Sequence, residues 1–124
     1  MNISHTRFVT VPVSDQDRAK AFYVDTLGFE VVSDRAVGPV RWLQVAPKDA
    51  QTSFVLATAE MGFTPGNLAA TLLESTDLDA DCAELAQAGV EVDGPVDYPW
   101  GRQAKFADPD GNTWVLAAPV PAGF

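Results

Sequence analysis

The stretch from Val9 to Val31 constrains this chain more than any other, because in 23 residues it demands a strand, a capped helix and a second strand. Val9, Val11 and Val13 alternate with Thr10 and Pro12, the period of a half-buried strand. Ser14 is placed to open the helix with its hydroxyl, and Asp15 and Asp17 put negative charge at the positive end of the helix dipole. Ala19, Phe22, Tyr23 and Leu27 recur at helical spacing as one apolar stripe. Gly28 falls where a left-handed residue ends a helix, and Phe29, Val31 and Val32 restart an extended run.

A second copy of the unit follows half a chain later, at Leu72–Val92. Ser75 or Thr76 is expected to cap its helix, Leu78, Cys82 and Leu85 form its stripe, and Gly89 ends it. Gly28-Phe29-Glu30-Val31 matches Gly89-Val90-Glu91-Val92, with one residue gapped inside the helix. Such an internal repeat implies two similar modules.

Between and after these units the chain reads as strands and turns. Strands are expected over 4–13, 29–34, 40–46, 52–58, 68–75, 90–93, 102–107 and 113–118, and helices over 15–27 and 77–88. Residues 33–39 hold a turn with Gly38 and Pro39, and 47–50 a hairpin turn. The segment 59–67, with Gly62, Pro65 and Gly66, is the expected linker. Residues 94–101 read as a long loop, and Asp108-Pro109-Asp110-Gly111 as a tight turn. In the tail 119–124, Phe124 is the one large anchor. The expectation is an α+β domain over 1–124, built of two βαβββ modules at about 1–58 and 68–119, with curved mixed sheets around a cavity.

Composition narrows the partners. Eight Lys and Arg against 17 Asp and Glu leave a formal charge of −9, which disfavours nucleic acid, whose phosphates need basic residues. No apolar run approaches the ~20 residues of a membrane span. The opening MNISHTRF lacks the charged-then-apolar layout of a secretion signal, so the cytoplasm is the expected location. The single cysteine excludes an internal disulfide.

VPVSDQDRAKAFYVDTLGF at 11–29, PWGRQAKFADPDGNTWVL at 99–116 and the βαβββ repeat together resemble the vicinal-oxygen-chelate superfamily: glyoxalase I, bleomycin-resistance proteins and extradiol dioxygenases. The resemblance implies four strand positions that carry His, Glu or Gln ligands for a divalent metal in the family's enzymes. They fall here on Phe8, Val55, Thr71 and Val115, none of which is a usual ligand. His5 lies an odd number of residues from Phe8 and so points to the other face of a strand. No metal and no cofactor is therefore expected.

The remaining candidates are weighed singly. With Phe8 in a ligand position, an apolar cavity wall follows, which Trp42, Phe54 and Trp100 would extend to bind a flat organic molecule. Filling the core is the competing role, strongest for Phe54. Thr71 offers a hydroxyl, and Arg102 a fork of donors for a carboxylate or phosphate, against the competing role of a rim salt bridge. Gln44 and Gln103 could orient a polar ligand. Tyr23, Cys82 and Trp114 read as packing, and no catalytic set is visible. The expectation is a small-molecule binder of the bleomycin-resistance kind, implying antibiotic resistance and a homodimer. The alternative is a glyoxalase-like isomerase, lyase or dioxygenase relative.

Overall fold

The computed structural model describes residues 1–123, so Phe124 and the anchoring expected of it lie outside the described residues. Among the described residues eight strands and two α-helices follow in the order βαβββ twice, with a single 3-10 turn at Ala59–Met61 in the expected linker. The chain divides into two compact units, Met1–Asn67 and Leu68 onward.

In the first unit, β1 (Phe8–Pro12), β2 (Glu30–Val37), β3 (Val40–Ala46) and β4 (Ser53–Ala57) form a sheet of order β1-β4-β3-β2. β1 runs parallel to β4, and the other pairs are antiparallel. β1 starts at Phe8 rather than residue 4, and β2 runs to Val37, beyond the expected end at residue 34. The helix α1 (Gln16–Lys20) is capped by Asp15, whose carboxylate accepts from the Arg18 amide at 3.0 Å. Ser14, expected as the cap, instead accepts from the Arg18 guanidinium at 3.0 Å. Past Lys20 the helix widens into a π-helical turn over Ala21–Thr26. The Leu27 amide then reaches back to the Phe22 carbonyl, five residues earlier. In this wider turn both Phe22 and Tyr23 are buried, edge to face with centroids 5.2 Å apart.

Register fixes the faces of the sheet, since paired residues share a side. Val11, Leu43, Val45, Phe54 and Leu56 lie on the side covered by the helix and are buried. Phe29 stacks on Phe54 there, with centroids 5.9 Å apart. β3 and β4 pair only at Gln44–Val55 and Val45–Phe54. Beyond that point the Gln16 side chain bridges them, donating to the carbonyls of Leu56 at 2.8 Å and Arg41 at 3.0 Å.

In the second unit, β5 (Thr71–Glu74), β6 (Asp93–Tyr98), β7 (Gly101–Ala107) and β8 (Thr113–Ala117) repeat the order as β5-β8-β7-β6. The helix α2 (Leu78–Gln87) is capped by Asp77. Ser75, expected to cap, accepts from the Asp77 amide at 3.1 Å and donates to Asp81 at 2.6 Å. The segment 94–101, expected as a loop, is mostly strand. β6 is an edge strand, which tolerates Pro95, and the pairing shifts between Asp93 and Val96. Gly94, at φ 112°, sits in that shift, where an added Cβ would lie 3.0 Å from the Gln103 carbonyl oxygen. The expected Asp108–Gly111 turn is present. The buried Asp108 carboxylate accepts from the amides of Asp110 and Asn112 at 2.9 Å and from the Asn112 side chain at 2.8 Å.

One charge network holds the helix-covered side of the first unit. Arg41 on β3 donates to Asp34 on β2 and to Asp17 in α1, and Lys20 reaches Asp34 at 2.8 Å. The hydrogen bonds from Arg41, then Lys20, hold the Asp34 carboxyl well below its usual 3.8. A depressed carboxyl contributes stability that is present above the unfolded value and lost as pH falls through the folded one. The Asp34→Asn variant is therefore expected to be less stable than the parent by about 1 kcal/mol at pH 7, a partly exposed network's worth. The gap should close as the pH is taken below the ordinary carboxylate range, measured by urea unfolding across pH.

Candidate functional site

Each helix covers one face of its sheet, and the candidate surfaces are the two helix-free faces. In the first unit that face carries Phe8, Ser53 and Val55, with Gln44 opposite Val55 and Arg35 opposite Trp42. Phe8 meets Trp42 edge to face, with centroids 5.7 Å apart. A polar relay fixes the indole: Trp42 Nε1 donates to Gln44 Oε1 at 3.0 Å, and Gln44 Nε2 donates to Ser53 Oγ at 2.7 Å. Ser53 Oγ in turn donates to the Arg7 carbonyl at 3.4 Å. With the indole N–H engaged, Trp42 offers a ligand its ring rather than its donor.

In the second unit the helix-free face carries Leu72, Val115, Ala117, Gln103, Val96 and Tyr98. Trp100, in the turn between β6 and β7, stacks on Tyr98 with centroids 5.0 Å apart and planes at 7°. The indole remains 51% exposed. At the far end of the same face lies a hollow of about 430 Å³, floored by Val115 and flanked by Ala70, Thr113, Lys105 and Asp93. None of the six expected binding residues lines it.

Of those six, Phe8, Trp42 and Trp100 lie on or beside helix-free faces. Phe54, Thr71 and Arg102 do not. Phe54 is in the core against Phe29. Thr71 pairs in register with Trp114, a fully buried residue on the helix-covered side. Arg102 shares that side: it donates to Asp79 in α2 at 2.8 Å and to Asp97 on β6 at 3.1 Å. These two carboxylates raise its pKa further. The salt-bridge role weighed for Arg102 is the one it fills. Cys82 is packed in α2, and burial, with Asp79 and Asp81 nearby, pushes its thiol up, away from nucleophilic chemistry.

Thr71 also proves to be one residue out of step in the repeat. Val13 and Ser75 donate to Ala57 and Ala117 respectively, and Asp15 and Asp77 are the two helix caps, so the modules align on these pairs. Phe8 stands seven residues before Asp15, and the residue seven before Asp77 is Ala70. The four positions that the resemblance implies thus fall on Phe8, Val55, Ala70 and Val115, which have no side-chain donor atoms for a metal. Among the described residues no group of three or more His, Cys, Asp or Glu side chains is gathered to hold one. The family's metal does not fit these residues. Among the described residues no helix is long and apolar enough to cross a membrane.

Arg35 and Tyr98 escape a reading of the sequence because their strands do. Once β2 is carried to Val37 and folded back at Gly38-Pro39, the alternation places Arg35 beside Trp42. Once β6 is a strand, Tyr98 falls on the side of Gln103.

Two βαβββ modules, each a mixed four-stranded sheet with one face left free of helix, define a protein of the vicinal-oxygen-chelate class. The family model for the Glyoxalase/Bleomycin resistance protein/Dioxygenase superfamily matches residues 2–116, and the chain belongs to that superfamily. It is 36% identical over 111 residues to the uncharacterized protein YetH of Bacillus subtilis, covering 87% of this chain and 92% of that one. Among solved structures it resembles TnmS3, an antibiotic binding protein from Streptomyces sp. CB03234, at 54% identity and a TM-score of 0.90, covering 96% and 98% of the two chains. It also resembles a superfamily member from Sphaerobacter thermophilus at 37% identity and a TM-score of 0.87, covering 94% and 98%.

The relay makes a direct prediction. The Gln44→Leu variant should cost about 1–2 kcal/mol, because it strips partners from the buried Ser53 hydroxyl and the Trp42 N–H. Its Trp emission should change as the indole loses its fixed setting, read by urea unfolding and fluorescence.

Proposed function

We propose that this protein binds a flat organic molecule without a metal ion, sequestering or carrying it as an antibiotic-binding protein would. The observation that carries the reading is the residue type at the positions where the resemblance implies metal ligands: Phe8 and Val55 in the first unit, and Ala70 and Val115 in the second, offer apolar side chains there. Trp42 against Phe8, and Trp100 on Tyr98, add ring surface to helix-free faces. The likeness to TnmS3, described as an antibiotic binding protein, supports the same reading.

Titration with polycyclic aromatic antibiotics is expected to quench Trp fluorescence. Trp42→Ala and Trp100→Ala should each weaken binding by about 1–3 kcal/mol, the range for a stacked aromatic contact. Binding and melting temperature should both survive treatment with a chelator. Affinity that disappears with the chelator and returns with Zn²⁺, Mn²⁺ or Fe²⁺ would overturn the metal-free reading. Steady turnover of a bound molecule would favour the glyoxalase-like enzyme instead.

The assembly proposed is a homodimer. Its support is the apolar surface left exposed along the strands, at Val32, Val37, Leu72 and Val96. Light scattering at micromolar concentration is expected to return twice the chain mass of 13.2 kDa, with an interface of at least ~1,000 Å². A monomer would contradict it.

A further inference from the structure

The distribution of positive charge separates the two sides of the first sheet. On the helix-covered side, Lys20 and Arg41 are both committed to carboxylates, at Asp34 and Asp17. In the second unit Arg102 is likewise bound to Asp79 and Asp97. Arg35 differs. It is exposed on β2, directly opposite Trp42, on the face that carries Phe8, Gln44 and Ser53. Among the described residues no carboxylate engages it. Its neighbour Asp34 points to the other face, and the acid of β2 that does share its side, Glu30, stands at the far end of the strand opposite Ala46. Arg7, Lys48 and Lys105 share with Arg35 the lack of an ion pair among the described residues, and what distinguishes Arg35 is its place directly opposite Trp42 on the face of the aromatic pair.

The aromatic wall cannot itself satisfy an anion. The Trp42 N–H is given to Gln44 and the Ser53 O–H to Arg7. One amide hydrogen of Gln44 is given to Ser53, leaving the other, the hydroxyls of Thr10 and Ser33, and the Arg35 guanidinium as donors on this face, of which only the guanidinium carries a positive charge. A guanidinium presents paired N–H groups that match a carboxylate. It would also offset, locally, the repulsion an anion meets from a chain of charge −9.

From this we propose that Arg35 sets the specificity of the site: the ligand is a flat aromatic molecule bearing a carboxylate at its ring edge, with the ring against Trp42 and the carboxylate on Arg35. This rests on the small-molecule reading above and assigns to Arg35 the anion-binding role that the sequence alone suggests for Arg102.

The test uses two probes of one shape, 2-naphthoate and the neutral 2-naphthamide, titrated calorimetrically into the full chain. The parent should bind naphthoate about fivefold or more tightly than naphthamide at low salt, an advantage that shrinks as salt rises. Arg35→Gln should bring the ratio to about one while leaving naphthamide affinity within about twofold. Lys48→Gln removes the same charge from the turn after β3 instead of from the strand position opposite Trp42, and should keep the ratio. Equal binding of the two probes by the parent would overturn the proposal and leave a neutral-ligand binder standing. So would a ratio unchanged in Arg35→Gln, or lost as fully in Lys48→Gln. Binding of neither probe at millimolar concentration would overturn both this proposal and the small-molecule reading beneath it.

Discussion

The parallel pairing of the first and last strand of each module is the constraint on which the remainder depends. With β1 beside β4 and β2 at the opposite edge, the connection from β1 to β2 must cross the full width of the sheet. A helix makes that crossing and dries one face, where Val11, Leu43, Val45, Phe54 and Leu56 are buried. The same geometry recurs in the second unit, where β5 beside β8 sends α2 across. One helix can cover one face only. The other must be met by something else, and its side chains are therefore the ones free to differ between relatives with different tasks.

The two faces of the first sheet carry opposite electrostatic logic. On the helix-covered side, cations and carboxylates neutralise each other in place: Asp34 gathers Lys20 and Arg41, and Gln16 fills the gap where β3 and β4 part. These contacts fasten α1 to the sheet and leave little to offer a ligand. On the helix-free side, hydrogen bonding is spent on orientation, with Ser53 and Gln44 holding the indole of Trp42. Arg35 is the exception on that side, and the asymmetry is what makes it informative.

Much of the architecture was legible in the sequence because its signals are local. Alternating valines, acidic helix starts and the glycines at 28 and 89 each act within a few residues. What was hidden depends on parity or on pairing. Thr71 and Ala70 differ by one position, yet a shift of one turns a side chain to the other face of a sheet. Arg102 and Phe54 each carried a second reading beside the site, a rim salt bridge and core filling, and the partners that bear on it, Asp79 and Phe29, lie 23 and 25 residues away, beyond the reach of any local pattern. β6 was masked by Pro95 and Pro99, which mark a loop unless the strand is known to be an edge. The widening of the first helix at Ala21–Thr26 left no pattern distinct from an ordinary helix, because Phe22 and Tyr23 suit either winding.

The relay from Trp42 to Ser53 bears on how selective such a surface can be over evolutionary time. A pocket built to exchange hydrogen bonds with its guest penalises every guest that lacks the matching group, since a buried polar atom is then stranded. Here the indole N–H and the Ser53 hydroxyl are already satisfied by the protein. A guest that loses or moves a hydroxyl leaves nothing stranded on this wall. If the protein binds as proposed, decoration that spares the ring and its carboxylate is consequently a poor route of escape, and a single chain of this kind could serve a whole series of congeners that share both.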